Sequence, residues 1–227
     1  MNVYLIVVAG GVGARMQSSV PKQFMQIDGK PIIVHTIKRF TSAVDLLKVV
    51  VVINASYKEL WEEIPKKYNL DIHKVVNGGE ERFFSVRNAL LSIDDYSDDD
   101  IVLIHDAVRP LVSSDVILNV IQTANNKGCA IPVYKVSDSV REISGDKSKI
   151  VDRSNLYLIQ TPQGFNLSKL KKAYNKEYSS YFTDDASVYE NAGFQLYFVE
   201  GNRENIKITY PQDFVMAKCI LKDVEAL

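Results

Sequence analysis

The sequence predicts an α/β fold: a mainly parallel, doubly wound, Rossmann-like sheet with a projecting β-arm. Three observations predict it. Continuously apolar runs rich in β-branched residues recur at residues 3–8, 47–54 and 101–104, as in strands buried on both faces. Segments carrying one apolar helical stripe separate them, so strand and helix alternate. One stretch, residues 134–153, breaks that rhythm with a polar alternation of period two.

The elements follow in order. Residues 3–8 (VYLIVV) form the first strand, and Gly10, Gly11 and Gly13 come at once after it. Pro31 opens a helix whose Ile32, Ile33, Ile37 and Phe40 share one buried face. Residues 47–54 (LKVVVVIN) are the second strand, and 57–67 a helix. Val75 and Val76 end a short strand before Gly78 and Gly79, and 82–93 read as a helix. Residues 101–104 are a buried strand. Residues 114–125 are a helix capped by Ser113 or Ser114, and 130–133 are strand-like.

The arm, residues 134–153, turns at Ser144-Gly145-Asp146. It is either a solvated hairpin or a strap that docks on another subunit. Residues 156–159 form a strand before Thr161-Pro162-Gln163. Thr183-Asp184-Asp185-Ala186 reads as a helix start capped by Thr183, or as part of a site. Residues 205–209 alternate as an edge strand, with Lys207 on the face opposite Ile206 and Ile208. The 227 residues make one domain, 1–227, with the arm inside it.

Composition narrows the function. With 27 basic and 28 acidic residues the net charge is −1, which does not suit non-specific nucleic-acid binding. No apolar run approaches the ~20 residues of a membrane span, and no signal peptide is recognisable. Cys129 and Cys219 lie far apart, and His35, His73 and His105 form no zinc pattern. The expected setting is the cytoplasm, without membrane or nucleic-acid partners. Asp94, Asp95, Asp98, Asp99 and Asp100 precede a strand, the end where parallel sheets do not build sites, and read as a solvated loop.

Ligands of such sheets bind beyond the carboxyl ends of the strands. After the first strand come Gly10, Gly11, Gly13 and Arg15, then Pro21-Lys22-Gln23. A dinucleotide fingerprint would need its third glycine at Met16, and the Walker pattern is absent. That tells against a nicotinamide-dependent oxidoreductase. What remains is a glycine loop whose amides approach phosphate oxygens, with Arg15 and Lys22 seven residues apart, an arrangement suited to a triphosphate. After the third buried strand come Asp106 and Arg109. Asp106 is a candidate ligand for magnesium, which takes one or two carboxylates plus phosphate oxygens, or else a helix cap or ion-pair partner.

Taken together, AGGVGARM at 9–16, PKQF at 21–24, GGEERFFSV at 78–86 and HDAVRP at 105–110 resemble the polyol-phosphate cytidylyltransferases. So do Asp152-Arg153, TPQGF at 161–165, TDDAS at 183–187 and ENIKITYP at 204–211. The best likeness is to the 2-C-methyl-D-erythritol 4-phosphate cytidylyltransferase family. The resemblance implies a nucleotidyltransferase that joins CTP to a polyol phosphate in isoprenoid synthesis, with Mg²⁺ or another divalent cation, as a homodimer. The alternative acceptor is ribitol 5-phosphate, and a sensor that binds CTP without turnover is a third possibility.

The resemblance also assigns residues. Arg15, Lys22, Lys207 and Asp106 would be catalytic, with Asp106 at the metal. Ala9, Gly10, Gly11, Gly13, Gly79, Glu80, Ser85 and Ala107 would bind nucleotide. Arg109, Ser139, Arg153 and Thr161 would bind acceptor, partly across a dimer contact. The sequence departs from the family's usual pattern at Gly10, Glu80 and Ser139.

Overall fold

The computed structural model describes residues 1–11, 16 and 20–225. Its first half holds β1 (Val3–Ala9), β2 (Gln26–Ile27), β3 (Lys30–Pro31), α1 (Ile32–Ala43), β4 (Lys48–Ile53), α2 (Lys58–Tyr68), β5 (Lys74–Asn77), α3 (Arg82–Ser92) and β6 (Ile101–Asp106). Then follow α4 (Ser114–Lys127), β7 (Cys129–Lys135), β8 (Val140–Ser144), β9 (Lys147–Val151), β10 (Tyr157–Ile159) and β11 (Gln163–Asn166). The last elements are α5 (Leu167–Tyr174), α6 (Asp185–Asn191), β12 (Phe198–Glu200) and α7 (Pro211–Glu225).

The main sheet runs β10-β7-β11-β6-β1-β4-β5, with β12 beside β7. The strands β6, β1, β4 and β5 are parallel neighbours, as the apolar runs predict. Alternate residues of β1 feed opposite cores. Tyr4 and Ile6 pack with Phe83 and Tyr174 on one side, and Leu5 and Val7 pack with Phe40 and Ile117 on the other. Both faces are covered by helices, so hydrophobic side chains are needed at every position of the strand.

The connections place the site. The chain leaves β1 toward β4 and β5, then returns to lay β6 on the other side of β1. Two neighbouring strands whose connections depart in opposite directions leave a crevice beyond their carboxyl ends. Val8 of β1 is paired with Asp106 of β6. The glycine loop and the HDAVRP segment therefore open into the same crevice.

Several local expectations need correction. Asp184, not Thr183, caps α6. Its carboxylate accepts the Ser187 amide while Ser187 Oγ accepts the Asp184 amide, a reciprocal box that fixes the first turn. Residues 205–209 form no strand. Their backbone is tied to the loop after β6 by the Ile208 amide on the Val108 carbonyl, and Asp213 of α7 accepts the Thr209 and Tyr210 amides. Alternation put Ile208 inside, but these bonds replace a sheet ladder. The helices α5 and α7 and the antiparallel strand β11 are additional to the elements read from sequence. Ser113 caps α4, and Gly128 ends it in the left-handed region at φ +93°.

The arm is a two-stranded hairpin, β8 paired with β9, standing apart from the main sheet. Its turn holds Gly145 at φ +58°, a conformation that favours glycine. The arm projects, as its polar pattern predicts.

Candidate active site

The crevice beyond β1 and β6 holds a cavity of about 400 Å³. Ala9, Gly10 and Gly11 form one wall, Gly79, Glu80 and Ser85 another, and Asp106 with Ala107 the floor. Lys22 and Lys207 close it. All of these come from the expected nucleotide and catalytic sets. Gly13 and Arg15 lie outside the described residues.

Each wall has a local cause. Gln23 follows Pro21 and Lys22 in a short 3₁₀ turn and is buried. Its Nε2 donates to the carbonyls of Ala9 (2.7 Å) and Gly11 (3.2 Å), which pins the glycine loop to the turn. Sequence reasoning noted Gln23 in its motif but gave it no role. Lys22 Nζ donates to the Ile208 carbonyl at 3.1 Å, so the same turn also holds the 205–209 segment. On the opposite wall the Gly79 amide donates to Ser85 Oγ at 3.0 Å. A side chain at Gly79 would run into Phe84, so this bend requires glycine.

Asp106 is the electrostatic centre. Lys207 Nζ lies 3.0 Å from Oδ2 and Arg109 Nε 3.2 Å from the same oxygen, and Arg82 Nε lies 3.9 Å from Oδ1. Burial alone would raise its pKa. The charges of Lys207, Arg82 and Arg109 outweigh burial and hold the carboxyl well below the usual carboxylate range. Asp106 is thus an anion at neutral pH, and it aligns three cations along the edge of the crevice.

A second cavity, about 250 Å³, adjoins the first. Arg109, Gln160, Thr161, Gln163 and Asp184 line it, and Arg82, Asp106 and Lys207 are common to both cavities. The hydroxyl of Thr161 is already committed. Its oxygen accepts the Asp106 amide at 3.2 Å and lies 2.9 Å from His105 Nδ1. His105 Nε2 faces the Arg109 carbonyl at 3.0 Å, which demands a proton on Nε2 and leaves Nδ1 to accept from Thr161. Burial chiefly pushes the His105 pKa down to about 4, so this neutral tautomer persists at pH 7. Thr161 therefore secures the backbone of Asp106 rather than presenting a free hydroxyl.

Ser139 and Arg153 line neither cavity of their own chain. Arg153 lies at the base of the arm, where its guanidinium donates to the Ser137 carbonyl. Ser139 lies just before β8 and is exposed. Two residues to which the sequence reading gives no specific role complete the picture, Arg82 standing among the basic groups at the strand ends and Asp185 in the 183–186 segment. Arg82 starts α3, and its Nη2 lies 2.6 Å from Asp185 Oδ2 at the start of α6.

Similarity to known proteins follows the same outline. Residues 3–223 match the profile of the family described as IspD, 2-C-methyl-D-erythritol 4-phosphate cytidylyltransferase. A Bacteroides fragilis protein of that name is 42% identical over 217 residues, covering 95% of this chain and 98% of that one. A Clostridium botulinum protein of the same name is 39% identical, covering 96% of each chain. The crystal structure of Francisella tularensis 2-C-methyl-D-erythritol 4-phosphate cytidylyltransferase superposes with a TM-score of 0.80 at 34% identity, covering 96% of this chain and 99% of that one. The 4-diphosphocytidyl-2C-methyl-D-erythritol synthase of Anaerococcus prevotii gives a TM-score of 0.82 at 26% identity.

Proposed function

The chain belongs to the 2-C-methyl-D-erythritol 4-phosphate cytidylyltransferase family, and on that premise we propose how its two cavities divide the reaction. CTP occupies the larger cavity and 2-C-methyl-D-erythritol 4-phosphate the smaller. The products are 4-diphosphocytidyl-2-C-methyl-D-erythritol and pyrophosphate. The observation that carries this reading is the shared boundary, where Asp106 holds Lys207 and Arg82 between the cavities and Arg109 at the smaller one. The relatives share one acceptor in their names, which disfavours ribitol 5-phosphate.

The chemistry asks for positioning and charge. An oxygen of the acceptor phosphate attacks the α-phosphorus of CTP. The new oxygen–phosphorus bond forms as the bond to the bridging oxygen of pyrophosphate breaks, and pyrophosphate leaves with that electron pair. The acceptor phosphate is already anionic, so no base is required. Two anions must nonetheless be held together, and fixed cations supply that. Lys22, together with Arg15, offsets the triphosphate. Lys207 and Arg109 face the acceptor phosphate. The backbone of the Gly10–Gly11 loop and of Gly79, with Ser85 behind it, shapes the nucleotide wall, and Glu80 and Ala107 border it.

Among the described residues no three metal-ligating side chains cluster, and Asp106 is already faced by three cations. We infer that a magnesium ion, or a similar divalent cation, would be held mainly by phosphate oxygens, with Asp106 as its protein contact. Bound there, it would offset further triphosphate charge.

The homodimer also belongs to this reading. Ile143 and Ile150 are 73% and 77% exposed. The hairpin register, Arg141 opposite Ile150 and Ile143 opposite Ser148, sets both on one face of the arm. Exposed Tyr157, Ile159 and Phe198 border an apolar recess beside β7. A second copy clasped by the arm would cover these groups and bring Ser139 and Arg153 to its acceptor cavity. Among the described residues no helix is long and apolar enough to cross a membrane. The two cysteines are free, which supports work in the cytoplasm. Phosphorus NMR of CTP and 2-C-methyl-D-erythritol 4-phosphate with the protein tests the transfer. Appearance of a diphosphate diester with free pyrophosphate is expected, and unchanged CTP signals would overturn it.

A further inference from the structure

Three residues line both cavities: Asp106, Lys207 and Arg82. The first two are assigned catalytic roles from sequence, while Arg82 is placed only among the basic groups at the strand ends. A guanidinium carries five N–H donors, and among the described residues the one hydrogen bond of Arg82 uses Nη2, on Asp185. Its Nε faces Asp106 from 3.9 Å, beyond a hydrogen bond. Donors therefore remain uncommitted at the boundary where the two substrates would meet.

The hold on Arg82 is built from behind. Asp185 is fully buried and lines neither cavity. Its second oxygen accepts the Tyr174 hydroxyl at 2.6 Å. The Tyr174 ring stacks on Phe83, the neighbour of Arg82, with centroids 4.8 Å apart. Asp185 itself is fixed by the capping box of α6 and by Gln163, which accepts the Ala186 amide and donates to Asp184. The carboxylate thus has both oxygens paired and no room to turn. Such a charge-assisted pair directs a planar guanidinium in a way that an ammonium cannot.

We propose that Arg82 is a further phosphate-contacting cation of the reaction centre, placed where nucleotide and acceptor meet, and that Asp185 and Tyr174 are its positioning residues. This deepens the reading of the two cavities and rests on it. Arg82 faces the phosphoryl group in transfer. Asp185 keeps it from collapsing onto Asp106, and Tyr174 keeps Asp185 aligned.

Steady-state kinetics of Arg82→Lys and Tyr174→Phe, with melting curves and CTP-binding stoichiometry, test this. Tyr174→Phe keeps the ring on Phe83 and removes only the hydroxyl. Expected are a kcat loss of roughly tenfold or more for Arg82→Lys and a few-fold for Tyr174→Phe, per CTP-binding site. KM should rise for both substrates, because Arg82 borders both cavities. A merely structural role would lower the melting temperature or the number of binding sites and leave kcat per site and both KM values unchanged. That outcome in folded Arg82→Lys overturns the proposal. If Arg82→Lys does not fold, wild-type kinetics in Tyr174→Phe overturn it. A wild-type protein that releases no pyrophosphate contradicts the cavity reading instead.

Discussion

The Lys207 ammonium lies 3.0 Å from Oδ2 of Asp106, joining the stretch before α7 to the end of β6. Lys207 is half exposed while Asp106 is buried, so the carboxylate holds a cation whose outer side faces both cavities. Substituting Lys207 by Ala is expected to lower kcat/KM for the acceptor by about a hundredfold, the scale of losing one fixed transition-state donor. Near-normal kinetics in the folded variant would remove Lys207 from the reaction centre.

Lys22 is expected to behave similarly through the nucleotide. Lys22→Ala removes a cation from the triphosphate wall and frees the Ile208 carbonyl. A fall in kcat of about a hundredfold is predicted, with the melting temperature little changed. Stopped-flow detection of pyrophosphate provides the check.

Gly79→Ala probes the wall of the larger cavity. The added methyl group runs into Phe84 and disturbs the amide held by Ser85 Oγ. CTP should bind about tenfold more weakly, near 1.4 kcal/mol, with acceptor KM unchanged. Calorimetry with CTP reads this directly, and an unchanged Kd would mean that the bend does not touch the nucleotide.

His105 gives a pH dependence of stability. Buried and neutral, it has a folded-state pKa of about 4 against an ordinary 6.5. Between those values the unfolded chain binds the extra proton, so stability declines as pH falls from 6.5 toward 4. His105→Asn should be less stable at pH 7 and show a flatter slope across that window. Urea unfolding at pH 7 and pH 5 measures it, and identical slopes would contradict the buried neutral state.

The arm supplies an assembly prediction. Ile143→Asp with Ile150→Asp places two charges on the face of the hairpin that carries both exposed isoleucines. Sedimentation should show a dimer for the wild type and a monomer for the double variant, with acceptor kinetics impaired. A wild-type monomer with full activity would leave the arm a solvated hairpin.

Much of this architecture was legible in the sequence, for reasons visible in particular residues. Strands such as β1 are covered on both faces, so Tyr4 through Val7 write an unbroken apolar run. Their carboxyl ends carry glycines and charges where the chain bends around the crevice, which is why Gly10, Gly79 and Asp106 stand out. The pair Arg82–Asp185 does not. It unites the first turns of α3 and α6, and only the packing of both helices on one sheet face brings them together. The commitment of Thr161 to His105 was hidden likewise, since it depends on β6 and β11 being antiparallel neighbours. Residues 205–209 misled in the other direction. Alternation reported correctly that Ile208 is buried, but a loop anchored at Val108 and Asp213 achieves the same burial without a sheet.

The most direct measurement is pyrophosphate release by the purified protein with Mg²⁺ and CTP, offering 2-C-methyl-D-erythritol 4-phosphate and ribitol 5-phosphate in parallel. The structure and its family predict rapid release with the first acceptor and little with the second. Equal or faster release with ribitol 5-phosphate, or none with either, would contradict the central claim.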